Sequence, residues 1–168
     1  LWTIHRFRDE VEQVRLALSL DGFYLYGHSW GGMLGIEYAL KYQNRLKALI
    51  ISSMTASQTS YEKYLKELRQ NLPPEIRKIL EKHEAKDEYD APEYQEAMYK
   101  YFYSKHMCRL EPWPEPFVRA LQHENSEVFN AIHGPNEFVA TGPAKSWDRW
   151  KDLERIRVPT LLVVGRHD

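Results

Sequence analysis

Phe23-Tyr24-Leu25-Tyr26-Gly27-His28-Ser29-Trp30-Gly31-Gly32 begins as an apolar, aromatic run of strand type and breaks off in Gly-x-Ser-x-Gly. A helical pattern follows at once, with Met33, Leu34, Ile36, Tyr38, Ala39 and Leu40. Strand, sharp turn and helix in that order are the setting in which such a serine becomes an exposed nucleophile. The turn is so tight that side chains two residues to either side of Ser29 are expected to collide, and Gly27 and Gly31 remove them. Ser29 is therefore expected in a strained backbone conformation, with its hydroxyl raised above the sheet. The helix that begins there aims its free N–H groups and positive dipole end at the same point. The Trp30 N–H is a candidate oxyanion donor. The alternative is a glycine-rich turn without chemistry, against which the flanking strand and helix argue.

Upstream, Ile4, Phe7, Val11, Val14 and Leu18 recur at helical spacing among charged residues, and Asp21-Gly22 makes a stop. Downstream, the helix runs to about Tyr42, and Leu46-Lys47-Ala48-Leu49-Ile50-Ile51-Ser52 reads as a second strand. Alternation of helix and strand implies parallel pairing through crossovers. From about Thr55 to Gly142 the pattern is helical throughout. Tyr61, Tyr64, Leu65 and Leu68, then Ile76, Ile79 and Leu80, then Tyr94, Met98, Tyr101 and Phe102 fall at helical spacing. Prolines stand where these helices should begin. This region is read as a helical insertion over the C-terminal ends of the strands, where sites in open α/β sheets lie. The alternative is a string of helices packed elsewhere on the sheet. Trp147 to Ile156 looks like a short helix and linker, and Pro159 then precedes Thr160-Leu161-Leu162-Val163-Val164-Gly165, expected to be a fully buried parallel strand.

With 168 residues the chain can bury one real core. A net charge of −1 gives no reason to expect nucleic acid or an anionic membrane as partner. The single cysteine, Cys108, excludes an internal disulfide framework and a multi-cysteine zinc site, and is read as a packed side chain. No apolar run approaches the roughly 20 residues of a membrane span. No signal peptide stands at Leu1, so a cytoplasmic location is expected. The chain opens without methionine, inside an amphipathic helix, and stops just after a strand; a segment of a longer protein is expected.

Gly27-His28-Ser29-Trp30-Gly31-Gly32 resembles the nucleophile turn of the proline iminopeptidase family of α/β-hydrolases, the tryptophan and doubled glycine being more specific than the general pattern. Val158 to Asp168 is similar to that family's acid-bearing strand, and His106 to Pro114 to part of its cap. Gly134-Pro135-Asn136-Glu137-Phe138 resembles the cap segment in which a glutamate binds the free α-amino group of the substrate. The resemblance implies an α/β class, a partial α/β-hydrolase fold with parallel strands and a helical cap. It divides the chain into core (1–54), cap (55–143) and core again (144–168). It implies Ser29 as nucleophile, Asp168 as the acid that orients a histidine, and Glu137 as amine anchor, with no metal or organic cofactor. Asp168 also fits the chain order of such triads, serine, then acid, then histidine. The alternatives are a plain turn residue for Asp168 and a solvent-facing glutamate after a Gly-Pro-Asn turn for Glu137.

Two parts of the family's machinery have no counterpart in this sequence. All seven histidines precede Asp168, so the base by that order is not among them. The upstream His-Gly-Gly-Pro-Gly loop that gives the second oxyanion donor is absent, as is the second glutamate that directly follows the acid. An aromatic slot for proline is expected among Tyr99, Tyr101, Phe102, Tyr103, Trp113, Phe117 and Phe138, with Trp30 as another wall. The expected activity is release of an N-terminal residue, preferentially proline, from a peptide or small amide or ester with a free N-terminus, through an acyl-enzyme. The competing readings are an esterase, amidase or aminoacyl-ester hydrolase of the same fold, and a truncated, non-catalytic domain.

Overall fold

The computed structural model describes residues 2–166. Helix α1 (Ile4–Ala17) starts from Thr3, whose hydroxyl accepts the Arg6 N–H and caps the first turn. It is followed by β1 (Phe23–His28), α2 (Trp30–Tyr42) and β2 (Leu46–Ser52). The last strand, β3 (Thr160–Val163), comes only after a long excursion. The three strands form one parallel sheet in the order β1-β2-β3. Its register aligns His28, Ser52 and Val163, so all three strands end at one edge.

Side chains alternate across the sheet as a period of two requires. Gly27, Leu49 and Ile51 are buried on the face that carries α2, where they meet Met33, Ile36 and Ala39. Tyr24 and Tyr26, on the opposite face, are 67% and 61% exposed. Helix α1 packs on α2 through Ile4 and Phe7. A buried polar chain also ties the two helices: Tyr38 donates to Glu12 at 2.7 Å, and Glu12 is held by two bonds from Arg15. The stripe predicted for α1 is only partly used, since Val14 and Leu18 are exposed while Arg15 between them is buried.

One expectation is corrected at β3. The strand is parallel, but Leu161, Leu162 and Val163 are exposed instead of fully buried. A continuous apolar run signals a strand covered on both faces. Among the described residues β3 lies at the margin of the sheet, and α2 covers the neighbouring strands instead.

Between β2 and β3 the chain is helical, as its spacing predicts: α3 (Gln58–Gln70), α4 (Pro74–Glu84), α5 (Pro92–Met98), a π-helix (Tyr99–Tyr103), α6 (Ser104–His106), α7 (Glu115–Gln122) and α8 (Ser126–Ile132). Proline is the first residue of α4 and α5, where its missing N–H costs nothing. Leu65, Ile76, Leu80, Tyr94, Met98 and Phe102 form a second core, separate from that of the sheet. The excursion leaves and returns through a pinned neck. Ser57 donates to Asp148 at 2.7 Å, the Gln58 N–H to the Trp147 carbonyl at 2.8 Å, and the Arg149 N–H to the Ala56 carbonyl at 2.8 Å. The neck is anchored to the sheet layer by Glu37 of α2, a buried carboxylate that accepts from Trp147 Nε1 at 2.8 Å and from Arg149 Nε. No helix among the described residues is long and apolar enough to cross a membrane.

Candidate active site

Ser29 sits between the last residue of β1 and the first of α2, with φ 51° and ψ −126°. A non-glycine residue in that region is strained, and such strain collects at functional turns. Three features hold it. The Ser29 N–H continues the sheet ladder to the Ser52 carbonyl at 3.0 Å, and the Ser29 carbonyl accepts the Gly32 N–H at 2.7 Å. A Cβ on Gly27 would overlap the backbone carbonyl of Gly31, so the turn closes only over glycine. Serine is a favoured N-cap, yet the Ser29 hydroxyl makes no capping bond, and the residue is exposed.

The crowding expected at Gly31 is not found. Among the described residues a Cβ there meets nothing within 4 Å. Gly32 is the crowded member of the pair, where a Cβ would stand 2.8 Å from the Met54 Cβ. The strain is set by the approach of Gly27 to the first turn of α2, so the burden is not symmetrical about the serine. Trp30, as the first residue of α2, has an N–H without an intrahelical acceptor. Its indole packs edge-on against Phe7 at 5.2 Å, and its Nε1 is buried with no partner among the described residues. The ring thus joins the α1–α2 contact and also lines a cavity of about 300 Å³ with Met33, Ile132 and Trp147.

The described histidines are engaged elsewhere. His28 Nδ1 lies 3.1 Å from Ser52 Oγ, His83 stands between Glu88 and Glu93, and His123 bonds the Arg119 carbonyl. His106 lies tilted against Phe102 and His133 against Phe129, the buried His133 Nε2 having no hydrogen-bond partner among the described residues, and His5 lies 3.5 Å from Glu37. Asp168 and His167 lie outside the described residues.

Glu137 is carried by a short loop between α8 and the neck. Gly134, at φ 132°, turns the chain where a side chain would overlap the Val139 carbonyl. The His133 carbonyl accepts both the Thr141 and Gly142 N–H groups at 2.9 Å, closing the loop. Inside it, buried Asn136 donates to the Tyr94 hydroxyl at 2.9 Å and accepts the Phe138 N–H at 3.0 Å. Phe138 packs on Phe102 with ring centroids 4.5 Å apart.

The Glu137 carboxylate is not turned to bulk water. Its Oε2 accepts the Tyr103 hydroxyl at 2.9 Å. Burial raises its pKa from the ordinary 4.5, offset in part by its own backbone N–H and by Tyr103; no cation figures among these influences. Glu124, also desolvated, is raised further by the Glu137 charge. The residue as a whole keeps some accessible surface, where it lines a cavity of about 360 Å³ against α3; the lining of that cavity includes neither Ser29 nor Trp30. Lys66, Arg69 and Lys145 line the same cavity, but among the described residues none forms an ion pair with Glu137, and a desolvated carboxylate with an open side suits an incoming ammonium.

Sequence reading missed Tyr103, Tyr94 and Asn136 as the residues that build this setting. Tyr103 was only one of several aromatic candidates for an apolar slot, and its polar end proves to be what meets Glu137. Asn136 read as a turn residue, and its neighbour Pro135 offered no sign of the buried bond to Tyr94.

The model of the alpha/beta hydrolase fold family matches residues 2–168. The proline iminopeptidase of Flavobacterium johnsoniae is 45% identical over the whole of this chain, which spans 58% of that protein. That of Elizabethkingia meningoseptica is 44% identical, again with 58% spanned. Among solved structures, VinJ aligns with a TM-score of 0.93 at 36% identity, covering 100% of this chain and 57% of VinJ. A proline iminopeptidase of Mycobacterium smegmatis aligns with a TM-score of 0.85 at 35% identity, over 99% of this chain and 56% of its own. The chain therefore spans somewhat under three-fifths of the relatives it matches. Its parallel sheet, its strained serine between strand and helix, and its match along the described length together make it a member of the alpha/beta hydrolase fold family.

Proposed function

We propose that the protein containing this chain is a serine exopeptidase that releases an N-terminal residue, preferentially proline, from peptides. In this reading Ser29 Oγ attacks the carbonyl carbon of the first residue while a histidine outside this sequence takes its proton, oriented by Asp168. The Trp30 N–H donates to the oxygen as it becomes an anion, at the moment the charge develops. Collapse of the tetrahedral adduct expels the rest of the peptide as an amine protonated by that histidine. Water then hydrolyses the acyl-enzyme by the same route. Residues 55–143 act as the cap over the serine, and Glu137 anchors the substrate's ammonium. A cytoplasmic setting suits a chain whose one cysteine, Cys108, is a free thiol.

The observation that carries the reading is Glu137: a carboxylate desolvated by its surroundings, in no ion pair among the described residues, and open to a cavity. The relatives named above support proline as the preferred residue. The test uses the complete protein and three substrates: proline p-nitroanilide, its N-acetylated form, and the neutral ester p-nitrophenyl acetate. Of the two anilides only the free-amine form should be cleaved well, and the activated ester, which needs no amine anchor, should be turned over too. Glu137→Gln should raise KM for it by about tenfold, the worth of a charge-assisted bond, and leave ester hydrolysis intact. Equal turnover of the blocked anilide would favour an esterase or amidase instead. No turnover at all, with no labelling of Ser29 by an organophosphonate, would mark a non-catalytic domain.

A further inference from the structure

Residues 102 and 103 grip residues 138 and 137. Phe102 packs at a tilt against Phe138, and Tyr103 donates to Glu137 Oε2 at 2.9 Å. The gripping segment is wound as a π-helix, a form that is rare and concentrates at functional sites. From the preceding α5, Tyr94 holds Asn136 in the same loop. Three side chains of one continuous helical stretch thus fix three consecutive loop residues.

We propose that Tyr103 is a positioning residue for Glu137: its hydroxyl holds one carboxylate oxygen and so presents the other to the cavity for the substrate's ammonium. The proposal rests on the reading of Glu137 as the amine anchor. Among the described residues, Tyr103 is the side-chain donor that reaches this carboxylate. The other charged groups around it do different work. Arg69 of α3 is committed to Glu84 by two bonds, at 2.9 and 2.7 Å. Lys66 and Lys145 line the cavity from exposed positions, and Glu62 lines it from α3. Glu124 adds negative charge near Glu137. The phenol is dependable as a donor, because burial and the neighbouring Glu137 charge hold its proton on more firmly than in water. Its bond lowers the pKa of Glu137 against the upward pull of burial. Without the hydroxyl that pKa climbs further, and the ammonium-binding form is reached only at higher pH.

The test is Tyr103→Phe in the complete protein. KM for proline p-nitroanilide should rise about tenfold, with kcat within about twofold, since a bond to a charged group is removed. The acid limb of kcat/KM for the anilide should move to higher pH while that for p-nitrophenyl acetate stays in place. In a Glu137→Gln background, Tyr103→Phe should add no more than about twofold, because the two groups act as a unit. That comparison holds even if Tyr103→Phe loosens the fold. Unchanged KM and acid limb in the single variant, or effects that multiply in the double variant, overturn the proposal while leaving Glu137 as anchor. A Glu137→Gln variant with unaltered KM removes the anchor itself, and the proposal with it.

Discussion

The serine turn and the Glu137 loop both hold a polar group in a costly state, and they do so by opposite means. At the serine turn the cost is backbone strain, and the residues that impose it are sequence neighbours, from Gly27 to Gly32. At the Glu137 loop the cost is desolvation, and the residues that offset it lie far off in sequence, Tyr103 being 34 positions away and Tyr94 42 from Asn136. One site is made of main chain and depends on glycine where its own backbone closes in. The other is made of side chains and depends on each of them. A local device can be moved between proteins as a motif; a non-local one exists only when the surrounding core has formed.

Four measurements break or sharpen this contrast. Ser29→Ala should lower turnover of anilide and ester alike by roughly 10⁴-fold or more, as loss of a nucleophile does, whereas changes at Glu137 spare the ester; equal losses from both would erase the distinction. In urea denaturation Gly27→Ala should cost about 3 kcal/mol, because the added methyl meets rigid backbone, and Gly31→Ala less than about 1 kcal/mol. A symmetrical loss would restore the expectation that both glycines relieve the same crowding. Asn136→Ala should cost about 2 kcal/mol, leaving the Phe138 N–H without its acceptor, and should raise KM for the anilide while the ester rate holds.

The smallest effect concerns pH. The Glu137 pKa is raised above 4.5 by burial, so between 4.5 and the folded value the native state keeps a proton that the unfolded chain has released. Stability contributed by that protonated group falls as pH rises through this window. Glu137→Gln should remove the slope and leave the protein more stable at neutral pH by on the order of 1 kcal/mol, at the expense of amine binding. Asp148 and Asp152 run the other way: hydrogen bonds from Ser57 and Arg155, respectively, lower their pKa values, and the stability they add is lost as pH falls. If acid titration of Glu137→Gln retains the wild-type slope above pH 4.5, desolvation is not the cost borne at this loop.

The serine turn was legible from residue types because its determinants are local. An aromatic strand, glycine, serine and a helix-forming run specify dihedral angles within a few positions, and β1, α2 and β2 follow the predicted boundaries to within about two residues. The helical character of the long excursion was equally open to reading, since apolar spacing and N-terminal prolines are local signals. What failed were statements about surroundings. The apolar run Leu161–Val163 said strand but could not say which of its faces would be covered. Gly31 is expected to relieve the same crowding as Gly27, but the backbone direction puts the crowding on Gly27 and Gly32.

The amino-acid order alone determined that Ser29 would be strained between a strand and a helix, because φ, ψ and capping are decided by near neighbours. Only the tertiary structure decided that Glu137 would be partly desolvated and gain a tyrosine. Desolvation and a bond across 34 residues arise when separate helices pack, and no short stretch of sequence contains that packing.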